Sequence, residues 1–190
     1  MSEDLKPLEE WPDVRLAELL TAYCQTDYCV AAPEGSMIFH VGDLSPEQNL
    51  QLMQAGVFSW CIVTAWNPMS QQRSADKNDA ALGDLKAEIE SCDLKWWEAA
   101  GRDPSGKWPM EESCFVLNVS KEQTEKFCQM YCQVAALYGD TETEPWLLFP
   151  DWDRVGESVE AIVDSELLSS DVSSRMQVVL EQNWGWKAKS

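Results

Sequence analysis

Between Val57 and Ala65 the chain reads Val-Phe-Ser-Trp-Cys-Ile-Val-Thr-Ala, and its centre, Trp60-Cys61-Ile62-Val63, has no polar alternation. A short unbroken apolar run bounded by turn residues suits a β-strand covered on both faces. Gly56 precedes the run, and Asn67-Pro68 stops it, because proline cannot donate to a strand ladder. A second run of the same kind spans Ser113 to Val119. Two strands of this type require a layered structure with a substantial core, which 190 residues can supply as one domain.

The rest of the chain fills in around these strands. Leu16, Leu19, Leu20 and Tyr23 recur at helical spacing. Asp27–Ala32 and Met37–Val41 read as antiparallel strands joined by Pro33-Glu34-Gly35-Ser36. Ser45-Pro46 is an N-cap with proline at the first helical position, and that helix should stop at Gly56. Ser74–Cys92 is the clearest helix, with an inner stripe Leu82, Leu85, Ile89 and Cys92. Leu94–Ala100 reads as a strand, and residues 101–109 as a loop. Ser120 with Gln123 forms a capping box before a helix carrying Phe127, Tyr131 and Val134 on one face. Ala135–Tyr138 and Trp146–Phe149 are two more short strands. Helical patterns follow at about Val155–Leu168 and Val172–Gln182, separated by Ser169-Ser170-Asp171.

This alternation of strands and helices predicts an α+β fold: a mixed sheet with helices mainly on one face, plus a C-terminal helical appendage. The expected organisation is an acidic flexible arm (1–13), an α+β core (14–150) and a helical extension (151–190).

Charge narrows the function classes. Lys and Arg number 14 against 33 Asp and Glu, a formal net charge of −19. Such a chain is repelled by phosphate backbones and by anionic membrane surfaces, so direct nucleic-acid or membrane binding is not expected. Nor does any stretch reach the roughly 18 consecutive apolar residues of a membrane span. The opening Met1-Ser2-Glu3-Asp4-Leu5 is acidic where a secretory signal carries basic residues, and a cytoplasmic location is expected. The seven cysteines, an odd number lying mostly in apolar runs, read as free thiols. Cys128 and Cys132 could share a metal at i, i+4 spacing. With His40 as the chain's one histidine, however, a four-ligand zinc site would need distant cysteines, so no metal and no cofactor is expected. His40 itself, within Met37-Ile38-Phe39-His40-Val41, reads as a solvated or hydrogen-bonded strand residue rather than a general base.

The residues that could carry chemistry gather where elements start or stop. Thr64 and Asn67 offer a hydroxyl and an amide at the end of the central strand, where ligands of layered folds tend to sit. A bland alternative is that Asn67-Pro68 simply ends the strand. Asn78 extends the inner stripe of the Ser74–Cys92 helix one step toward its start, and a buried amide there needs partners. Glu111-Glu112-Ser113 brings carboxylates to the entrance of the second covered strand, where they must be paired, poised or left at an exposed edge.

Several of these features recur together: Tyr23 and Thr26-x-Tyr28 before the first strand, Thr64-Ala65-Trp66-Asn67-Pro68, Asn78, Glu112-Ser113, and Gln133-x-Ala135. Over roughly Leu16 to Pro150 the chain resembles a bacterial family catalogued as a domain of unknown function with a Thr-Ala-x-Asn-Pro strand end. The resemblance implies a bacterial, cytoplasmic protein and brings no activity with it.

Two functions follow as expectations. In the first, Thr64, Asn67, Asn78 and Gln133 bind a polar small molecule beside Glu112 as candidate acid–base residue, with Trp66 or Trp108 as a wall. In the second, the chain is an acidic interaction module that binds a basic protein partner as a nucleic-acid mimic. Trp184-Gly185-Trp186 could serve such a partner or fold back onto the domain.

Overall fold

The computed structural model describes residues 8–43 and 45–188. Its elements in chain order are α1 (Asp13–Gln25), β1 (Asp27–Ala32), β2 (Gly35–Phe39), α2 (Pro46–Gln54), β3 (Ser59–Val63), α3 (Ala75–Ser91), β4 (Lys95–Arg102), β5 (Glu111–Leu117), α4 (Lys121–Met130), β6 (Ala136–Asp140), β7 (Trp146–Leu148), α5 (Trp152–Val163) and α6 (Ser170–Lys187). Single 3-10 turns lie at Leu8–Glu10 and Pro68–Ser70. Local signals set most boundaries. Ser45 Oγ accepts from Gln48 N at 3.4 Å at the start of α2. Ser120 and Gln123 exchange side-chain bonds of 3.1 and 3.0 Å at the start of α4. Gly56, at φ 74°, ends α2.

The α+β class holds, but the sheet is not mixed. Its seven strands run β2-β1-β4-β5-β3-β6-β7, and every pair is antiparallel. The reason lies in the crossovers. α3 links β3 to β4, and α4 links β5 to β6, so each helix joins strands of the same direction. In each case another strand lies between them, β5 in the first and β3 in the second, and it runs the opposite way. Helices between strands suggest parallel neighbours in the sequence; here each crossover skips a place.

The sheet is strongly curled. β2 and β3 are four strand steps apart, about 19 Å in a flat sheet at 4.7–4.9 Å per step. Yet the rings of Phe39 and Trp60 lie 4.6 Å apart by centroid. Phe115 stacks on both, at 5.6 and 5.0 Å, and Trp97 stacks on Phe115 at 5.5 Å. These aromatics fill the inside of a half-barrel. Gly139 seats Trp60, since a Cβ at that position would overlap the indole. The two edges approach each other where Gly42 N donates to Pro145 O at 2.7 Å.

On the opposite face of the sheet, Lys86 of α3 reaches Glu98 of β4 at 3.1 Å. The inner stripe of α3 (Leu82, Leu85, Ile89) is buried, while Cys92 is exposed because the helix ends at Ser91. α1, α5 and α6 pack on one another, and α6 also packs on β7. Val155, Val159, Val172, Met176 and Val179 of residues 151–190 belong to the same continuous core as the sheet. Asn183 of α6, fully buried, donates to Leu147 O at 2.8 Å. Trp184 meets Trp152 edge-on at 5.3 Å, and Trp186 is partly buried against the core. At the other terminus Leu8 and Trp11 are buried; residues 1–7 of the expected arm lie outside the described residues. No helix is long and apolar enough to cross a membrane among the described residues.

Candidate functional site

The end of β3 turns sharply, and the turn is held from all sides. Thr64 Oγ1 donates to Glu112 O at 2.6 Å and accepts from Trp66 N at 3.0 Å. Asn67 then adopts left-handed backbone geometry (φ 47°, ψ 59°), followed by Met69 (φ 50°) and Ser70 (φ 52°). Each non-glycine residue in that region costs about 1–2 kcal/mol, so three in four positions persist only under external constraint.

The constraint is a set of buried amides. Asn67 N donates to Asn78 Oδ1 at 3.1 Å, and Asn78 Nδ2 donates back to Asn67 Oδ1 at 3.0 Å. Asn67 Oδ1 also accepts from Arg73 N at 2.9 Å, so the loop is closed from its far end. Gln133 Nε2 donates to Trp66 O at 2.9 Å and Tyr131 O at 3.3 Å. Met69 N donates to Cys132 O at 2.8 Å. Thr64, Asn67, Asn78 and Gln133 do come together, and their polar atoms serve this loop.

Asn67 has one further bond. Its Nδ2 donates to Glu111 Oε1 at 2.6 Å. Glu112, by contrast, is exposed, and it pairs with Ala100 whereas Glu111 pairs with Gly101. Successive strand residues face opposite ways, so Glu111, Ser113 and Phe115 share the inner face and Glu112 points outward. Burial pushes the Glu111 carboxyl above the usual carboxylate range, against a smaller downward pull from the Asn67 amide.

Around Glu111 the inner face is polar at its rim. Tyr28 stands opposite Gly101 on β1, and its hydroxyl donates to Tyr23 O at 3.3 Å. Burial drives both tyrosine hydroxyls well above their ordinary range, with Glu111 adding in the same direction. One step deeper, Ser113 is 3% exposed, and its hydroxyl has no hydrogen-bond partner among the described residues. The indole N–H of Trp66 is likewise buried without a partner. Behind the loop, Met69 and Gln133 contribute to the wall of a cavity of about 270 Å³.

All seven cysteines are free, and burial pushes the Cys24, Cys61 and Cys114 thiols up to about 12. No group of three or more His, Cys, Asp or Glu side chains is arranged to hold a metal ion among the described residues. Ser113 was visible only as the start of a covered strand. Counting back by twos from Phe115 through Ser113 reaches Glu111, and that alternation is the signal that separates it from Glu112.

Residues 63–136 match the model of a protein family of unknown function (DUF3293). The matched stretch runs from the last residue of β3 to the first of β6 and includes Thr64, Asn67, Asn78, Glu111, Ser113 and Gln133. No curated protein and no solved structure matches the chain.

Proposed function

We propose that the inner face beside the end of β3 binds a small polar molecule, with Glu111 as its acid–base group. The carrying observation is the Ser113 hydroxyl, buried and unpartnered two residues along the same strand face from Glu111. An unmade buried hydrogen bond costs about 1–3 kcal/mol and calls for a reason. A ligand reaching past Glu111 supplies one. On this reading Thr64, Asn67, Asn78 and Gln133 do not touch the ligand. They hold the strained loop so that the Asn67 amide fixes the Glu111 carboxyl, and rigid support of this kind gives a site its geometry. A carboxyl lifted above its usual range by burial and anchored through one oxygen is suited to exchanging a proton with a bound ligand.

The test is a ligand-observed NMR screen of small hydroxylated and carboxylated molecules against the wild type, Ser113→Ala and Glu111→Ala. Binding that weakens in both variants supports the site. Binding indifferent to both substitutions, or no binder at all, rejects it.

A further inference from the structure

A separate cleft of about 480 Å³ opens where the end of α1, the residues after β2, the β4–β5 connection and α6 meet. That volume falls within the range of about 300–1,000 Å³ common for small-molecule sites. His40, the chain's one histidine, lines it with a third of its side chain exposed. Behind the ring, Asp27 Oδ1 lies 2.9 Å from His40 Nε2, and Arg102 Nη2 donates to Asp27 Oδ2 at 2.7 Å. His40 first, and then Arg102, hold the Asp27 carboxyl below its ordinary range, so it is an ionised acceptor.

An acceptor-only group at Nε2 fixes the ring proton there, which leaves the lone pair of the neutral ring on Nδ1. A carboxylate that orients an imidazole in this way prepares its other nitrogen to take a proton. Arg175 lines the same cleft. Its Nε donates to Asp171 Oδ2 and its Nη1 to Val41 O, both at 3.2 Å, while Nη2 has no partner among the described residues. The guanidinium is therefore held in place with one edge open. Two further acids line the cleft. Asp103 is already occupied by the N–H groups of Ser105, Lys107 and Trp108 at 2.8, 2.8 and 3.1 Å, and Asp43 is exposed, so Arg175 is the group there that attracts an anion.

We infer that this cleft is a second site, in which Arg175 anchors the oxyanion of a small carboxylate- or phosphate-bearing molecule and His40 Nδ1 accepts a proton from it or from bound water. Only a proton moves, from an O–H group to Nδ1, and the imidazolium that results stays paired with Asp27. This site shares no residue with the strand-end site and stands without it.

A single histidine makes the test direct, because its two ring nitrogens can be read by long-range proton–nitrogen NMR without assignment. The wild-type protein is titrated with phenyl phosphate and, separately, with benzoate. The expected result is the Nε2–H tautomer in the free protein and a saturable shift of the His40 signals at millimolar probe. A response to one probe alone assigns the anion class. Arg175→Met should weaken that binding at least about tenfold, the loss of one charge-assisted contact; Arg175→Lys should retain part of it. An Nδ1–H tautomer, no saturable shift with either probe, or unchanged affinity in Arg175→Met would overturn the inference. The first two results come from the wild type alone, so the test does not depend on a variant folding.

Discussion

Asn67 and Asn78 bond each other twice, backbone N–H to side-chain oxygen at 3.1 Å and side-chain N–H to side-chain oxygen at 3.0 Å, and both residues are buried. The pair ties the first turn of α3 to the end of β3 and makes the left-handed conformation of Asn67 tolerable. It is a structural clasp that positions Glu111.

Asn78→Ala should therefore be costly. It leaves the Asn67 N–H buried without its acceptor and removes a second bond, a loss of about 1–3 kcal/mol for the stranded donor alone. At roughly 2–4 °C per kcal/mol for a chain of this size, thermal unfolding should fall by several degrees. An unchanged midpoint would mean that the amide pair holds nothing.

Glu111→Gln should behave in the opposite way, and its effect should depend on pH. The carboxyl is raised in the folded state, so its ionised form is disfavoured there. The protonated form is favourable below the unfolded-state value, and that advantage is lost as pH rises through the folded value. Glutamine is neutral at every pH and still offers an oxygen to Asn67 Nδ2. Urea unfolding at pH 4 and pH 7 should find the variant at least as stable as the wild type at pH 7, with the difference shrinking at pH 4. A variant less stable at pH 7 would show that the Asn67 bond outweighs burial.

Cys132 ends α4 in left-handed geometry at φ 52°, with Gln133 N bonded to Cys128 O at 2.8 Å and Cys132 N to Gln129 O at 3.3 Å. This is the position where glycine is the usual residue. Because Cys132 is exposed, Cys132→Gly gives up little packing. Relief of the backbone strain, less the greater freedom of glycine when unfolded, should stabilise the protein by about 0.5–1 kcal/mol. Differential scanning calorimetry reads the change, and a lowered midpoint would contradict this account.

Features that depend on neighbours in sequence were legible. The unbroken run of β3, the Leu82–Leu85–Ile89 stripe and the caps at Ser45 and Ser120 are each written in a few consecutive residues. Features that depend on partners far along the chain were not. Nothing local says that β5 inserts between β3 and β4, so helices between strands suggested parallel pairs where all are antiparallel. The curl that brings Phe39 onto Trp60 is likewise a property of the whole sheet. An amphipathic pattern announces α5 and α6 but not the surface they cover. At the candidate site, residue types and positions drew attention to the end of β3 and the start of β5, which the fold brings together through the Thr64–Glu112 and Asn67–Glu111 bonds. The choice between Glu111 and Glu112 turned on strand parity, which a strand entrance read without its register leaves open.

The central claim is that the inner face beside Glu111 is kept for a ligand, and the thermal unfolding of Ser113→Ala tests it most directly. A hydroxyl that is buried without a partner makes no bond to lose, so its removal should leave the melting temperature unchanged or raise it. A fall of several degrees would mean that Ser113 is satisfied within the fold, and the strand end would then be a clasp with no ligand to hold.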